Sequence, residues 1–441
     1  MTNSAQHVSS GSAYCGRPDH INRRTLLKAA GLSGLAWLTP VSRMLARAAE
    51  EAPRGAPARS IVVLWLQGAP SQLETFDPHP GTNIAAGSNA IRTSVEGVQV
   101  GEGLVQTADL MHEIAVLRNV VSREGDHERA TYNVKTGFRP DPTLVHPAIG
   151  GIVCHQLKDD LEIPRHVAIT PGQWAPRGGY LGAQYDAFKV GDPAGPVPDV
   201  TARVSPERLE RRLNDLENVV EAEFARGRLP RLESRRTLHL ESIARARRMM
   251  SSEQLAAFDV SQSPLALREE YGDTPFGRGC LAAVRLIQAG VRCVEVTLDG
   301  WDSHVNNHEL QAARVAILDP AFAALVRDLK RRDLLASTVV ICGGEFGRTP
   351  SMNPAGGRDH WPHGFSIALA GGGIRGGQVV GETSPTGEKL EYERGVKVAD
   401  VHATVLSALG IDFTQMLDTP VGRPMVISEG QVVKELLAEP A

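Results

Sequence analysis

Six short apolar runs punctuate the chain. They are Ser60–Leu66 (SIVVLWL), Ile114–Val120, Arg165–Thr170 (RHVAIT), Val291–Leu298 (VRCVEVTL), Thr338–Cys342 (TVVIC) and Phe365–Ala370 (FSIALA). They show little apolar–polar alternation, as expected for strands buried on both faces of a parallel sheet. Helix-like periodicity fills the intervals. Asp109–Leu117 reads as helix, passing into the Ile114–Val120 strand. A helix capped by Asp126 is expected to run to about Thr136 and stop at Gly137. His146–Gln156, Gly277–Ala289 (stopped by Gly290), Asn307–Leu335 and Val398–Leu409 (stopped by Gly410) read as further helices. Pro206–Ala257 is charged and amphipathic, and predicts two or more surface helices. Strands alternating with helices predict an α/β fold: a three-layer sandwich with a mainly parallel central sheet and helices on both faces.

The polar residues collect where the strands end. Val296–His363 contains the loops DGWDSH, GGEFGRT and GGRDHWPH, which bring Asp299, Asp302, His304, Glu345, Asp359, His360 and His363 into one stretch. In an open α/β sheet such loops converge outside the carboxyl ends of the strands. Carboxylates mixed with imidazoles suit a divalent cation such as zinc or manganese. The first strand breaks at Gln67-Gly68-Ala69-Pro70-Ser71, which makes Gln67, Ser71 and Glu74 further candidates. His127 falls in the first turn of its helix, where free N–H groups favour an anion. The Gly- and Pro-rich stretch from Thr170 to Pro198 is a long loop, a common place for substrate contacts.

Composition changes little in this picture. The 441 residues suffice for a large core, and the net charge of −4 with no basic stripe argues against nucleic acid. Five cysteines (Cys15, Cys154, Cys280, Cys293, Cys342) form no CxxC pair, and the last three sit in apolar runs as expected of buried free thiols. Residues 1–48 differ from the rest. They carry six Lys/Arg against one Asp, and Asn22-Arg23-Arg24-Thr25-Leu26-Leu27-Lys28 is a twin-arginine pattern. The apolar run Ala29–Val41 and the small-residue site Ala46-Arg47-Ala48 follow it. The run is too short for a membrane span of about 20 residues. This order predicts a twin-arginine signal over 1–48, a linker over 49–59 and a single domain over 60–441. The mature protein is then expected to be periplasmic or secreted, without a stable span.

The stretches LWLQGAPSQLETFDPHP, DHERATYNVKTG, YGDTPFGRGCLAAVRLIQAGVRCVEV, GWDSH, TVVICGGEFGRTP, GRDHWPHGFSIALAGGGIRGG and VADVHATVLSALGI resemble those of a large bacterial family. It is domain-of-unknown-function family 1501, placed in the alkaline phosphatase and sulfatase superfamily. The resemblance implies an alkaline phosphatase-like sandwich. It makes Asp302, His304, Glu345 and His360 the metal ligands, with zinc, manganese or calcium as the ion. Asp359, His363 and Asp299 are alternatives, as ligands or as carboxylates orienting imidazoles. Relatives carry Asp residues after the first strand, where this chain has Gln67 and Gly68. Phe346 stands where a His or Asn ligand is usual. Counting back from Thr136-Gly137 places His127 at the position of the sulfatase nucleophile, and no formylglycine precursor is present.

Sulfate and phosphate esters need their charge neutralised and a nucleophile in line. Arg348 is a candidate catalytic residue, and Arg358, Asp359, His363, Gln67 and Ser71 are candidates for substrate binding. His127 is read as nucleophile, general acid or additional ligand. Trp301 and Trp361 flank the site and suit either stacking on a sugar or loop packing. The function implied is exported, metal-dependent hydrolysis of an anionic ester, such as one on a glycan. The alternatives are a catalytically degenerate protein that binds an anionic polymer or secreted partner, and a transferase or mutase.

Overall fold

Continuous burial on both faces turns each of the six apolar runs into a strand. The computed structural model describes residues 57–158, 161–216 and 243–438. In chain order the main elements are β1 (Ser60–Gln67), β2 (Ile114–Val121), α1 (His127–Thr136), α2 (Ile149–Gln156), β3 (His166–Ile169), β4 (Phe188–Val190), α3 (Pro275–Ala289), β5 (Cys293–Asp299), α4 (Asn307–Arg331), β6 (Thr338–Gly343), β7 (Phe365–Ala370), β8 (Val379–Val380), β9 (Val396–Lys397) and α5 (Val398–Ala408). The sheet order is β8-β2-β7-β6-β1-β5-β3-β4, with β9 also paired to β2. β1 is central and parallel to both neighbours, so that Trp65 lies opposite Thr297 on β5 and Gly343 on β6. Val62, Leu64 and Leu66 of β1 pack with α3 and α4, and Ile61 joins the opposite layer with α2 and α5. The expected three-layer sandwich is what forms. The described residues all belong to one compact unit. Among the described residues, no helix is long and apolar enough to cross a membrane.

Several expectations need correction. β7 runs antiparallel to β2 and β6, because a loop and the short hairpin pair Gly347–Arg348 and His360–Trp361, not a helix, connect it to β6. No helix covers Asp109–Leu117. A helical turn (Val105–Ala108) and a 3₁₀ turn (Met111–Glu113) precede β2, whose Ile114–Leu117 are fully buried in the sheet. The helix expected from His146 begins at Ile149, and α4 stops at Arg331, short of Leu335. Asp333 then takes the left-handed conformation and ends the helical path. The loop after β3 hides the edge strand β4. Within 206–257, helix Pro206–Asp215, helical residues 243–250 and a 3₁₀ turn from Glu253 are present as expected, and 217–242 lie outside the described residues. So do the twin-arginine segment and most of the linker. Cys280, Cys293 and Cys342 are free and buried, and Cys154 is buried.

Two buried histidines give the fold a pH dependence. His166 Nδ1 donates to the Tyr185 carbonyl (2.9 Å) and His402 Nε2 to the Val134 carbonyl (2.8 Å). Burial, only partly offset by these bonds, pushes each imidazole down to about 4. The unfolded chain therefore takes up protons first, near pH 6.5, and stability is lost as pH falls from there toward 4. Each histidine is expected to cost about 2 to 3 kcal/mol on going from pH 7 to pH 4.5. Urea unfolding at the two pH values checks this. His402→Gln should shrink the difference, and equal pH sensitivity in the variant would contradict the assignment.

Candidate metal centre

The carboxyl ends of β1, β2, β5 and β6 lie at one edge of the sheet, and four loops meet there. β1 ends at Gln67, and Gly68 turns the chain with φ +104°. A Cβ at Gly68 would lie 2.6 Å from the Asp302 nitrogen, so only glycine lets this loop touch the loop after β5. Gly357 plays the same part against the backbone of His304. Gln311 of α4 braces both loops from below. It accepts from the Ser71 N–H and donates to the Trp301 carbonyl and Ser303 Oγ. Asp126 caps α1 as expected, accepting from the Glu128 and Arg129 N–H groups, and sets His127 at the first helical position.

His127, Asp302, His304 and His360 converge. His360 Nδ1 lies 2.7 Å from the Gly125 carbonyl, which can only accept, so that nitrogen carries the hydrogen. His304 Nδ1 lies 2.8 Å from Asp359 Oδ1 and donates there. The two Nε2 atoms then face each other at 3.0 Å, and Asp302 Oδ1 lies 3.2 Å from one and 3.6 Å from the other. Three acceptors meet, which is stable only with a proton or a metal ion among them. His127 repeats the pattern. Its Nδ1 is 2.7 Å from Glu345 Oε1, and its Nε2 is 3.4 Å from Asp302 Oδ2 with no hydrogen-bond partner among the described residues. One ligand atom each from His127, Asp302 and His360 fits within 4.8 Å. Each imidazole is held by an oxygen behind it, as in metal centres where carboxylates or carbonyls fix the tautomer.

The electrostatics agree. Burial alone would depress the His127 imidazole, but the Asp302 and Glu345 carboxylates outweigh it and lift the group to about 9. For Asp302, burial is overcome by the His127 and His360 imidazoles beside it and by the bond from Arg348, which hold it far below the usual carboxylate range. Glu345 is fully buried. Its Oε1 accepts from His127 and from the Gly68 N–H at 2.9 Å, so it stands behind His127.

The remaining candidates are placed as follows. Arg348 is 0 % exposed and four of its five N–H groups are engaged. It donates to the carbonyls of Gly68, Ala69 and Arg358 and, at 2.6 Å, to Asp302. It holds Asp302 and, fully buried, presents no exposed donor to an oxyanion. Arg358 is equally buried, bound to Glu74 and to the carbonyls of Ile84, Thr349 and Pro350. Ser71 is buried behind its loop, and Gln67 Oε1 rests against Gly172. Asp359 lies beside His304, and His363 stands edge-on to Trp361 at 5.2 Å. Asp299 is exposed and accepts from the Gly300 N–H, whereas Trp301 is fully buried in the core. Sequence reasoning missed Gln311 and Asn353. The latter donates to the His304 carbonyl and to Asp359, and its N-P-A-G-G turn is the only signal it carries. Phe346 packs against both His127 and His360.

A family described as Protein of unknown function (DUF1501) matches residues 58–437. The chain belongs to the DUF1501 family. No curated protein matches this DUF1501 chain in sequence. Among solved structures it is similar to a sulfatase from Pseudoalteromonas sp. (12% identity, 85% of this chain and 72% of that one, TM-score 0.37). It is also similar to the alkaline phosphatase of the Antarctic bacterium TAB5 (12%, 81% and 99%, TM-score 0.35). A third is the C-terminal periplasmic domain of EcEptC from Escherichia coli in complex with Zn (11%, 88% and 93%, TM-score 0.37).

Proposed function

We propose that this DUF1501 protein is an exported, metal-dependent hydrolase of sulfate or phosphate esters. The observation that carries the reading is the convergence of His127, Asp302 and His360, with His304 Nε2 3.0 Å from His360 Nε2. Their nitrogen and carboxylate donors suit zinc or manganese better than calcium, which takes oxygen ligands. A divalent cation held there supplies positive charge to an ester's non-bridging oxygens and lowers the pKa of water. The chain's own residues prepare for it. Glu345, Asp359 and the Gly125 carbonyl fix the three imidazoles with Nε2 directed inward. Arg348 keeps Asp302 ionised and in place. The twin-arginine pattern at Asn22–Lys28 supports export to the periplasm.

Full burial of Arg348 and Arg358 favours a second reading. With both guanidiniums committed, and Gln67-Gly68 where relatives carry Asp, the protein would bind an anionic polymer without cleaving it. Protein isolated from its host is expected to contain zinc or manganese and to hydrolyse members of an aryl sulfate and phosphate ester panel. Chelation should abolish turnover, and the same metal should restore it. His304→Ala is expected to weaken metal retention. Metal-free protein with no turnover after metal addition would sink the hydrolase and leave the binder.

A further inference from the structure

The buried pair Lys135–Glu295 plays no part in the chemistry above. Lys135 lies on α1, eight residues after His127. At 1.5 Å per residue the two are roughly 12 Å apart along one face of the helix. Glu295 lies on β5, seven residues before Asp302. Lys135 is 8 % exposed and Glu295 3 %. Lys135 Nζ donates to Glu295 Oε1 at 2.7 Å and to the Trp174 carbonyl at 2.8 Å, and sits 4.7 Å from the centre of the Trp65 ring. Trp65 belongs to β1, three residues before Gly68, whose N–H holds Glu345. One ammonium thus joins α1, β1, β5 and the loop after β3, beneath the metal centre.

Stability is a poor explanation for this pair. Two charges taken out of water lose hydration that their attraction barely returns, and apolar residues of similar size often do as well. Position is a better one. His127 and Asp302 ride on α1 and on the loop after β5, and their 3.4 Å separation depends on how these two elements lie against each other. The apolar side chains Val63, Val134 and Ile341 line a cavity beside the pair, and apolar contacts are non-directional and tolerate small slips, whereas a hydrogen-bonded ion pair does not.

We propose that Lys135 is a positioning residue, which through Glu295 and the Trp174 carbonyl sets α1 so that His127 meets Asp302 at metal-binding distance. The proposal rests on reading His127, Asp302 and His360 as a metal centre.

Cobalt(II) added to the demetallated full-length protein tests it, since its visible absorption reports coordination geometry. The variant Lys135→Met/Glu295→Leu removes both charges and is expected to unfold in urea near the wild-type midpoint. Its cobalt affinity should fall roughly 10- to 100-fold, the range for groups that orient ligands, and its absorption band should shift. Glu295→Gln keeps an acceptor for Lys135 and is expected to retain most of the affinity. Unchanged affinity and spectrum in the double variant would overturn the proposal. If the double variant fails to fold, Lys135→Arg keeps the charge on a longer planar group, and an unshifted spectrum there would overturn it equally. A wild-type protein that takes up no cobalt overturns the metal centre itself, an outcome seen before any substitution is made.

Discussion

Asp302→Asn is expected to abolish metal retention while leaving the protein folded. Asp302 is the residue every other member of the cluster touches: Oδ1 faces Arg348, His304 and His360, and Oδ2 faces His127. Asparagine preserves the shape and one acceptor for Arg348, so the loop should hold. It removes the negative charge that balances a divalent ion, and it sets an N–H₂ against one of its neighbours. Groups that merely orient ligands cost 10- to 100-fold in affinity, so loss of the central carboxylate should exceed about 100-fold. If the metal supplies several kcal/mol to the reaction, turnover should fall by roughly 10³-fold or more. Metal analysis, calorimetric titration and ester hydrolysis on the same sample check each part. Full metal occupancy in Asp302→Asn would remove this residue from the centre.

Arg348→Met should be the most destabilising single change near the site. Its guanidinium fills a buried space between three loops and satisfies the carbonyls of Gly68, Ala69 and Arg358 together with Asp302. Methionine restores part of the volume and none of the donors. Each stranded carbonyl costs about 1 to 3 kcal/mol where water cannot reach it, and the lost pair adds less because the Asp302 side chain is 44 % exposed. Arg348→Lys should recover little, because a point charge cannot meet four acceptors spread around a planar fork. Urea unfolding checks this. A midpoint close to wild type would mean that Arg348 is not the keystone its contacts describe.

More of the fold than of the site is legible in the amino-acid sequence. β1, β5 and β6 were readable because burial on both faces leaves an unbroken apolar run, a signal carried by adjacent residues. The α1 boundaries were readable for the same reason: Asp126 and Gly137 act on backbone groups within a few residues of themselves. The antiparallel course of β7 was not, since strand direction follows from how the 344–364 loop folds back, and FSIALA reads the same either way. The edge strands β4, β8 and β9 are too short to show a pattern.

By itself, the sequence determined that the chain is an α/β sandwich whose Asp, Glu and His residues follow its strands. Local propensity and burial pattern suffice for that. Only the tertiary structure decided the division of labour among them. Glu345 meets His127 from 218 residues away, and Arg348 meets Gly68 from 280. Whether a side chain faces a ligand or spends its donors on a passing carbonyl depends on which loops cross at that point. Contacts of that sequence separation leave no period or spacing in the chain, so a buried arginine and a catalytic one look alike until the loops are in place.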